Sequence, residues 1–320
     1  MKKAFKKGIC ISFFVIFSFF LPLFFKSVFI QHLLVLIGIN IILVMALDMV
    51  FGQTGLISLG HAGFMGIGAY TCVLLVMKLK APFLIGLIGG MVSAGLFGAL
   101  IGYPSLRLRG HYFVIITFIC GIIFTLLFTN LIIITNGPMG IPGIPPPEIR
   151  LFGTQPIDLK SKINYYYLVL IFIFIVIYIK YRCKNSRMGR ALLAVREDED
   201  LGKSLGIHTH AYKVGIFIIS TAFAGLAGGL YAHYIRFIGP ESFTMLHSFY
   251  FFVMNLVGGC GTMVGPIIGP LLLTVIDEVS QLFRPEVARI LFGLALILMI
   301  IYMPKGIAGF VRQHIFKREI

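Results

Sequence analysis

The sequence predicts an all-α, polytopic membrane protein with about 8–10 transmembrane segments, arranged as two loosely repeated halves with glycine-rich broken or re-entrant elements. Three observations carry this. The chain is 58% hydrophobic and only 12% charged, with a mean hydropathy of +0.98, whereas soluble domains carry about 25% charged residues. Its apolar runs are continuous and of the length a bilayer needs, about 20 residues. They do not alternate apolar and polar residues as the strands of a membrane barrel would. Finally, 12 charged residues are gathered between positions 180 and 213, with apolar runs on both sides.

The expected spans are 8–25, 28–50, 61–77, 82–102, 112–134, 163–179, 214–235, 248–276 and 288–303. The first follows Lys2, Lys3, Lys6 and Lys7 and resembles a secretory signal. Its length, and Lys26 where a small-x-small cleavage site would lie, favour a retained span. Basic residues collect on the cytoplasmic side of a membrane, so the loop 180–213, with Lys180, Arg182, Lys184, Arg187, Arg190, Arg196, Lys203 and Lys213, sets the orientation. Counting spans back from it places the N-terminal lysines and Arg107 and Arg109 on the same side. The net charge of +15 is then a topological signal. Nucleic-acid binding is excluded, because the charges lie between spans and form no folded basic face.

Span 248–276 is overlong, since its 29 residues would make a helix of about 43 Å. It reads Gly258-Gly259-Cys260-Gly261-Thr262-Met263-Val264-Gly265-Pro266. If the run breaks there and returns, the basic C-terminal tail joins the N-terminus in the cytoplasm. The basic residues then divide 18 inside to 9 outside. A second glycine-rich stretch runs from Gly52 to Gly68, and both open with G-x-x-G. Paired interruptions in two halves point to a transporter repeat with a midplane pathway. The alternative is that the glycines only let helices approach closely. The segment 135–147 contains five prolines and cannot be helix. It opens the external loop 135–162, and its interleaved Ile and Met residues predict a folded, turn-rich cap.

Cys10, Cys72, Cys120, Cys183 and Cys260 are scattered, with no C-x-x-C pair, which indicates neither a disulfide framework nor a zinc site. Trp is absent, leaving tyrosines such as Tyr165, Tyr166, Tyr167, Tyr178, Tyr181 and Tyr302 to serve the interfaces. The P-loop, H-E-x-x-H and G-x-S-x-G patterns are missing. No cofactor or metal is implied, and the chain is not expected to be an enzyme. Asp48 is the one acid well inside an N-terminal apolar run; it is read as a helix-end or packing group, with a proton relay as the alternative. A transporter lacking intramembrane carboxylates needs energy from a partner. The loop offers a docking element: Met188, Leu192 and Val195 share one helical face, flanked by Arg187, Arg190 and Arg196. Asp198 is placed to cap a second short helix that Gly206 ends. Such an element could also lie on lipid headgroups, but the acidic run Glu197–Asp200 favours a protein partner.

The stretches GQTGLISLGHAGFMGIGAY (52–70), RLRGHYFVIITF (107–118), TNGPMGIPGIPPP (135–147), SRMGRALLAVREDEDLGKSLGI (186–207), AFAGLAGGLYAHYIRFIGPESF (222–243), VGGCGTMVGPIIGP (257–270) and PKGIAG (304–309) together resemble the M-type permease subunit of bacterial branched-chain amino acid ABC importers. The resemblance covers 28–320 as one permease domain and leaves 1–27 outside it. His111 stands where the family often has an acid, and Cys260 replaces a bulkier apolar residue. What the resemblance implies is a passive, multi-pass subunit of the bacterial cytoplasmic (inner) membrane, with both termini in the cytoplasm. It would pair with a homologous H-type permease and two cytoplasmic ATP-binding subunits. An external substrate-binding protein would deliver Leu, Ile or Val. Related permeases take urea, amides or other amino acids; a stand-alone carrier is the competing class. The translocation pathway is expected at Gly55, Ser58, Gly60, His61, Gly258, Gly259 and Gly261. ATPase coupling is expected at Met188, Arg190, Leu192, Val195, Arg196, Glu197 and Asp198.

Overall fold

A computed structural model describes residues 27–108, 111–149, 157–280 and 306–315, with Phe19, Leu21, Pro22 and Gly293 in addition. Apart from those four positions, the expected spans 8–25 and 288–303 lie outside the described residues. Helices α1 (Val28–Thr54), α2 (His61–Lys78), α3 (Phe83–Ser105) and α4 (His111–Asn130) come before the cap. Helix α5 (Lys162–Asn185) leads into two short helices, α6 (Arg187–Glu197) and α7 (Glu199–Ser204). Then come α8 (Thr209–Ile235), α9 (Met245–Gly258), α10 (Gly265–Ser280) and α11 (Gly306–Ile315). Six described helices, α1 to α5 and α8, are long and apolar enough to cross a membrane.

Helix α1 is apolar around its whole circumference, and such a helix belongs at the centre of a bundle. Val35, Ile42, Leu43, Val44 and Met45 have no exposed surface. Helices α2, α5, α8, α9 and α10 all pack against it. Helix α3 shows the opposite design. Gly86, Gly90, Ala94, Gly98 and Gly102 recur every fourth residue and are buried. Small residues at this spacing let backbones approach closely in a membrane, and this stripe seats α3 on α2 and α8. The other face of α3 turns Ile85, Ile88, Val92, Leu96 and Leu100 outward, as a lipid-facing surface requires.

The overlong run breaks where its glycines are. Helix α9 stops at Gly258 and α10 starts at Gly265, folded back so closely that a methyl group on Gly258 would collide with the Gly265 carbonyl. Gly306, which opens α11, lies on Gly259, where a methyl would come within 2.5 Å of the Gly259 nitrogen. The chain therefore returns to the end of the bundle that carries the 259–264 turn and α6.

The two halves repeat in opposite senses. Helix α1 runs toward the α6 end, the chain unwinds over 55–60, and α2 starts inside the bundle. Helix α8 runs away from that end, the chain unwinds over 236–244, and α9 starts inside the bundle. The two inner starts meet, with the Ala62 amide donating to Ser248 Oγ at 2.9 Å. The partner of the first glycine-rich stretch in this arrangement is thus 236–244 and not the 258–265 turn. That turn matches the short link between α2 and α3.

The proline-rich loop is folded, as expected. A 3-10 turn at Gly137–Met139 leads into β1 (Ile141–Pro142). Strands β2 (Glu148–Ile149) and β3 (Ile157–Asp158) pair with each other. Strand β1 pairs with β4 (Phe237–Ile238), just past α8.

Candidate functional site

The expected pathway residues fall into two places. Ser58, Gly60 and His61 form one cluster at the start of α2. Ser58 and His61 are buried, at 1% and 0% exposure. His61 Nδ1 lies 3.0 Å from Ser58 Oγ, and Nε2 lies 2.8 Å from Ser220 Oγ. The Ser220 hydroxyl donates to the Ala46 carbonyl at 2.6 Å, so its oxygen must accept from Nε2–H. Nε2 therefore carries a proton, and in the neutral ring Nδ1 accepts from the Ser58 hydroxyl. The Leu59 amide donates to Thr117 Oγ1 at 3.2 Å, and a side chain at Gly60 would strike the Thr117 carbonyl. Ser220 is 11 residues into α8, so the cluster lies about 16 Å from the α6 end at about 1.5 Å per residue. Every polar group named here has a partner. The cluster holds unwound backbone at membrane depth, which is tolerated only where protein or water covers it.

Gly258, Gly259 and Gly261 lie elsewhere, at the α6 end, and Gly55 joins them there. Gly259 and Gly261 take positive φ values, 110° and 73°, which glycine adopts without steric cost. Around this turn the sequence-level reading missed an ionic centre. Lys180, assigned to the exposed loop, is 2% exposed on the last turns of α5. Its ammonium lies 2.8 Å from Asp48 Oδ2 and donates to the Thr262 carbonyl at 3.1 Å. The other Asp48 oxygen accepts from the Gly261 amide at 2.7 Å. Lys184 donates to the Gly261 carbonyl at 2.7 Å. Asp48 is therefore neither a bare packing group nor an isolated proton relay, but one half of a buried ion pair. A usable signal existed: a lone acid in one apolar run and a lysine at the edge of another.

The charged loop folds as two helices, as its caps predict. Ser186 Oγ accepts from the Gly189 amide at 3.1 Å. Asp198 Oδ1 accepts from the Asp200 and Leu201 amides at 2.9 and 3.0 Å. Gly206, with φ 78°, lies past the end of α7. The apolar face of α6 requires a correction. Leu192 and Val195 are 0% and 6% exposed within this chain alone, and Met188 is half-buried. They pack inward, so they are not the surface left for a partner. Arg196 is exposed, and its guanidinium donates to the Gly52 carbonyl at 2.8 Å. Arg190, which donates to the Asn185 carbonyl, Glu197 and Asp198 are exposed as well. The outward apolar residues are ones the sequence did not single out: Leu193, Leu201 and Leu205, the last 70% exposed. Glu199 anchors the far side of the loop, 2.9 Å from Lys213 and 3.3 Å from Lys203. Burial pushes the Glu199 carboxyl up, but the two lysines outweigh it and hold it below the ordinary carboxylate range.

Residues 29–300 match the family described as the permease component of the branched-chain amino acid transport system. The high-affinity branched-chain amino acid transport system permease protein LivM of Salmonella typhimurium is 36% identical over 297 residues, covering 87% of this chain and 69% of that protein. LivM of Escherichia coli K12 is 35% identical over the same length. The permease protein LivH of Salmonella typhimurium is 26% identical over 276 residues, covering 82% of this chain and 88% of its own. No solved structure matches. With a multi-pass helical fold and a family match along most of its length, the chain belongs to the branched-chain amino acid transport system permease family.

Proposed function

We propose that the chain is one of two homologous membrane permeases in an ABC importer of the bacterial inner membrane, carrying Leu, Ile or Val delivered by an external binding protein. Two cytoplasmic ATP-binding subunits supply the energy. This chain hydrolyses nothing and takes no cofactor of its own. The single observation that carries the reading is the ordered α6–α7 platform in a chain 36% identical to a LivM permease. The platform fits an ATPase cleft with its outward side, Arg187, Arg190, Leu193, Glu197, Leu201 and Leu205, while its inner side is fixed to the bundle. Both termini then lie with the platform in the cytoplasm, and the return of Gly306 to Gly259 supports this for the tail.

The test compares the two sides of α6 in proteoliposomes holding the whole importer. Labelled leucine uptake should require ATP. Leu193→Asp should detach the ATPases and lower hydrolysis and uptake together, with the melting temperature of the permease pair unchanged. Leu192→Asp should instead destabilise the permease itself, because an unpaired buried charge costs several kcal/mol. If Leu193→Asp still co-purified with the ATPases at full activity, the docking surface would be misassigned. Uptake that ran without ATP would favour a stand-alone carrier, and uptake of urea or amides in place of leucine would move the substrate class.

A further inference from the structure

The Asp48–Lys180 pair is not explained by stability. The two side chains are 1% and 3% exposed. Removing two charges from water costs several kcal/mol each, and apolar residues of similar volume often hold a fold as well or better. Ionisable residues kept inside membrane segments mark functional positions.

The pair also does more than close on itself. Each member holds a peptide group of the 259–264 turn, and the two hold it with opposite polarity. Asp48 accepts from the Gly261 amide, and Lys180 donates to the Thr262 carbonyl. One helical turn beyond Lys180, Lys184 holds the Gly261 carbonyl. At the far end of α6, Arg196 reaches the Gly52 carbonyl, which lies against Gly261. A methyl on Gly52 would come within 2.7 Å of the Gly261 Cα and 2.9 Å of both Asp48 oxygens. Three cations along α5 and α6 therefore converge on one glycine-rich turn and on the end of α1. The turn links α9 to α10, and the start of α11 rests on it. A displacement of α6 would reach this turn through Arg196 and the end of α1, and through the two lysines of α5.

We propose that Asp48 and Lys180 are positioning residues for transport: they transmit displacement of the α6–α7 platform to the 259–264 turn, and through it to α9 and α10. The inference rests on the ATP-driven reading above. It assigns these two side chains no contact with the transported molecule.

The test uses the complete importer in proteoliposomes, with leucine uptake and ATP hydrolysis measured on the same samples. The double variant Asp48→Asn/Lys180→Met removes both charges and leaves no unpaired one, so the complex should assemble with an unchanged melting temperature. Its uptake per ATP hydrolysed should fall at least tenfold. A merely structural pair predicts a ratio within twofold of wild type, and that result would overturn the proposal. The Leu193→Asp control lowers uptake and hydrolysis together and leaves their ratio alone. Should the double variant fail to assemble, Lys184→Met decides: it removes one bond to the turn and should lower the ratio at least threefold, while an unchanged ratio rejects the linkage. A wild-type complex with no ATP-dependent uptake would instead reject the functional reading, and the inference with it.

Discussion

At residues 58–61 the chain leaves its unwound stretch among hydroxyls and one imidazole, whereas at 259–264 it unwinds among a carboxylate and two lysines. Both segments open with the same G-x-x-G spacing. The first is an interior seam. Its donors and acceptors are short-range and uncharged, and its shape comes from backbones in contact. The second sits at the end of the bundle beside α6, and charged side chains hold it from outside. Glycine allows the backbone to unwind in both places; what surrounds the glycine determines whether the result is a fixed scaffold or a part that can be pulled.

The largest expected effect tests the scaffold. Helix α2 leaves the first seam in direct backbone contact with α8, and a methyl on Gly68 would collide with the backbone of Gly225. Ordinary overpacking costs about 1–3 kcal/mol and is relieved by shifting side chains; here only backbone could yield. Gly68→Val should abolish recovery of folded, monodisperse permease in detergent. Normal yield and melting temperature would show that the seam is looser than its contacts imply, and the contrast between the two breaks would weaken.

A smaller effect separates neutral from ionic support. Ser220→Ala removes the hydroxyl shared by His61 Nε2 and the Ala46 carbonyl. A buried group left without its partner costs about 1–3 kcal/mol. The melting temperature should drop, and by the same amount at low and high salt, because no charge is involved. A drop that shrank with added salt would mean the cluster is charged after all.

How much of this was legible in the sequence depended on the range of the interactions. Hydrophobic length marked the six spans among the described residues, and the glycines from Gly258 to Gly265 marked the break, because both are local properties of the chain. The caps Ser186 and Asp198 and the stop at Gly206 are also local, and the charged loop folds as they indicate. The inward turn of Leu192 was not legible. An amphipathic helix shows which face is apolar, but not whether its own bundle or a partner covers that face. Lys180 was misplaced for a related reason. Counted by sequence it begins a basic loop, while in space it meets the one carboxylate that offsets its burial, 132 residues earlier in the chain. The counterpart of the first seam, at 236–244, carries little of the glycine signature, so pattern matching selected the 258–265 turn instead.

The smallest effect sharpens the comparison by using a lysine–carboxylate pair in a more open setting. Glu199 is 24% exposed and Lys203 47%, against 1% and 3% for Asp48 and Lys180. The Lys203 contact is solvent-exposed and contributes about 0–1 kcal/mol, while Lys213, 4% exposed at the start of α8, also loses its carboxylate in Glu199→Gln, so the substitution should loosen α7 together with the first turn of α8. The carboxyl of Glu199 is held below its ordinary value in the folded chain. Its stabilisation is therefore complete above the unfolded value of about 4.3, and it fades as pH falls through the lower folded value. Amide hydrogen exchange across 199–209, corrected for intrinsic rates, should show constant protection in the wild type from pH 7 down to about 5, and a loss below about 4. The Glu199→Gln variant should exchange at least threefold faster at pH 7 and show no such fall from this group, because the exposed Lys203 and the buried Lys213 both lose their carboxylate. Equal protection in both proteins at pH 7 would mean that Thr209 and the Asp198 cap hold α7 by themselves. The charged contacts around α6 and α7 would then matter most at the turn that Asp48 and Lys180 grip.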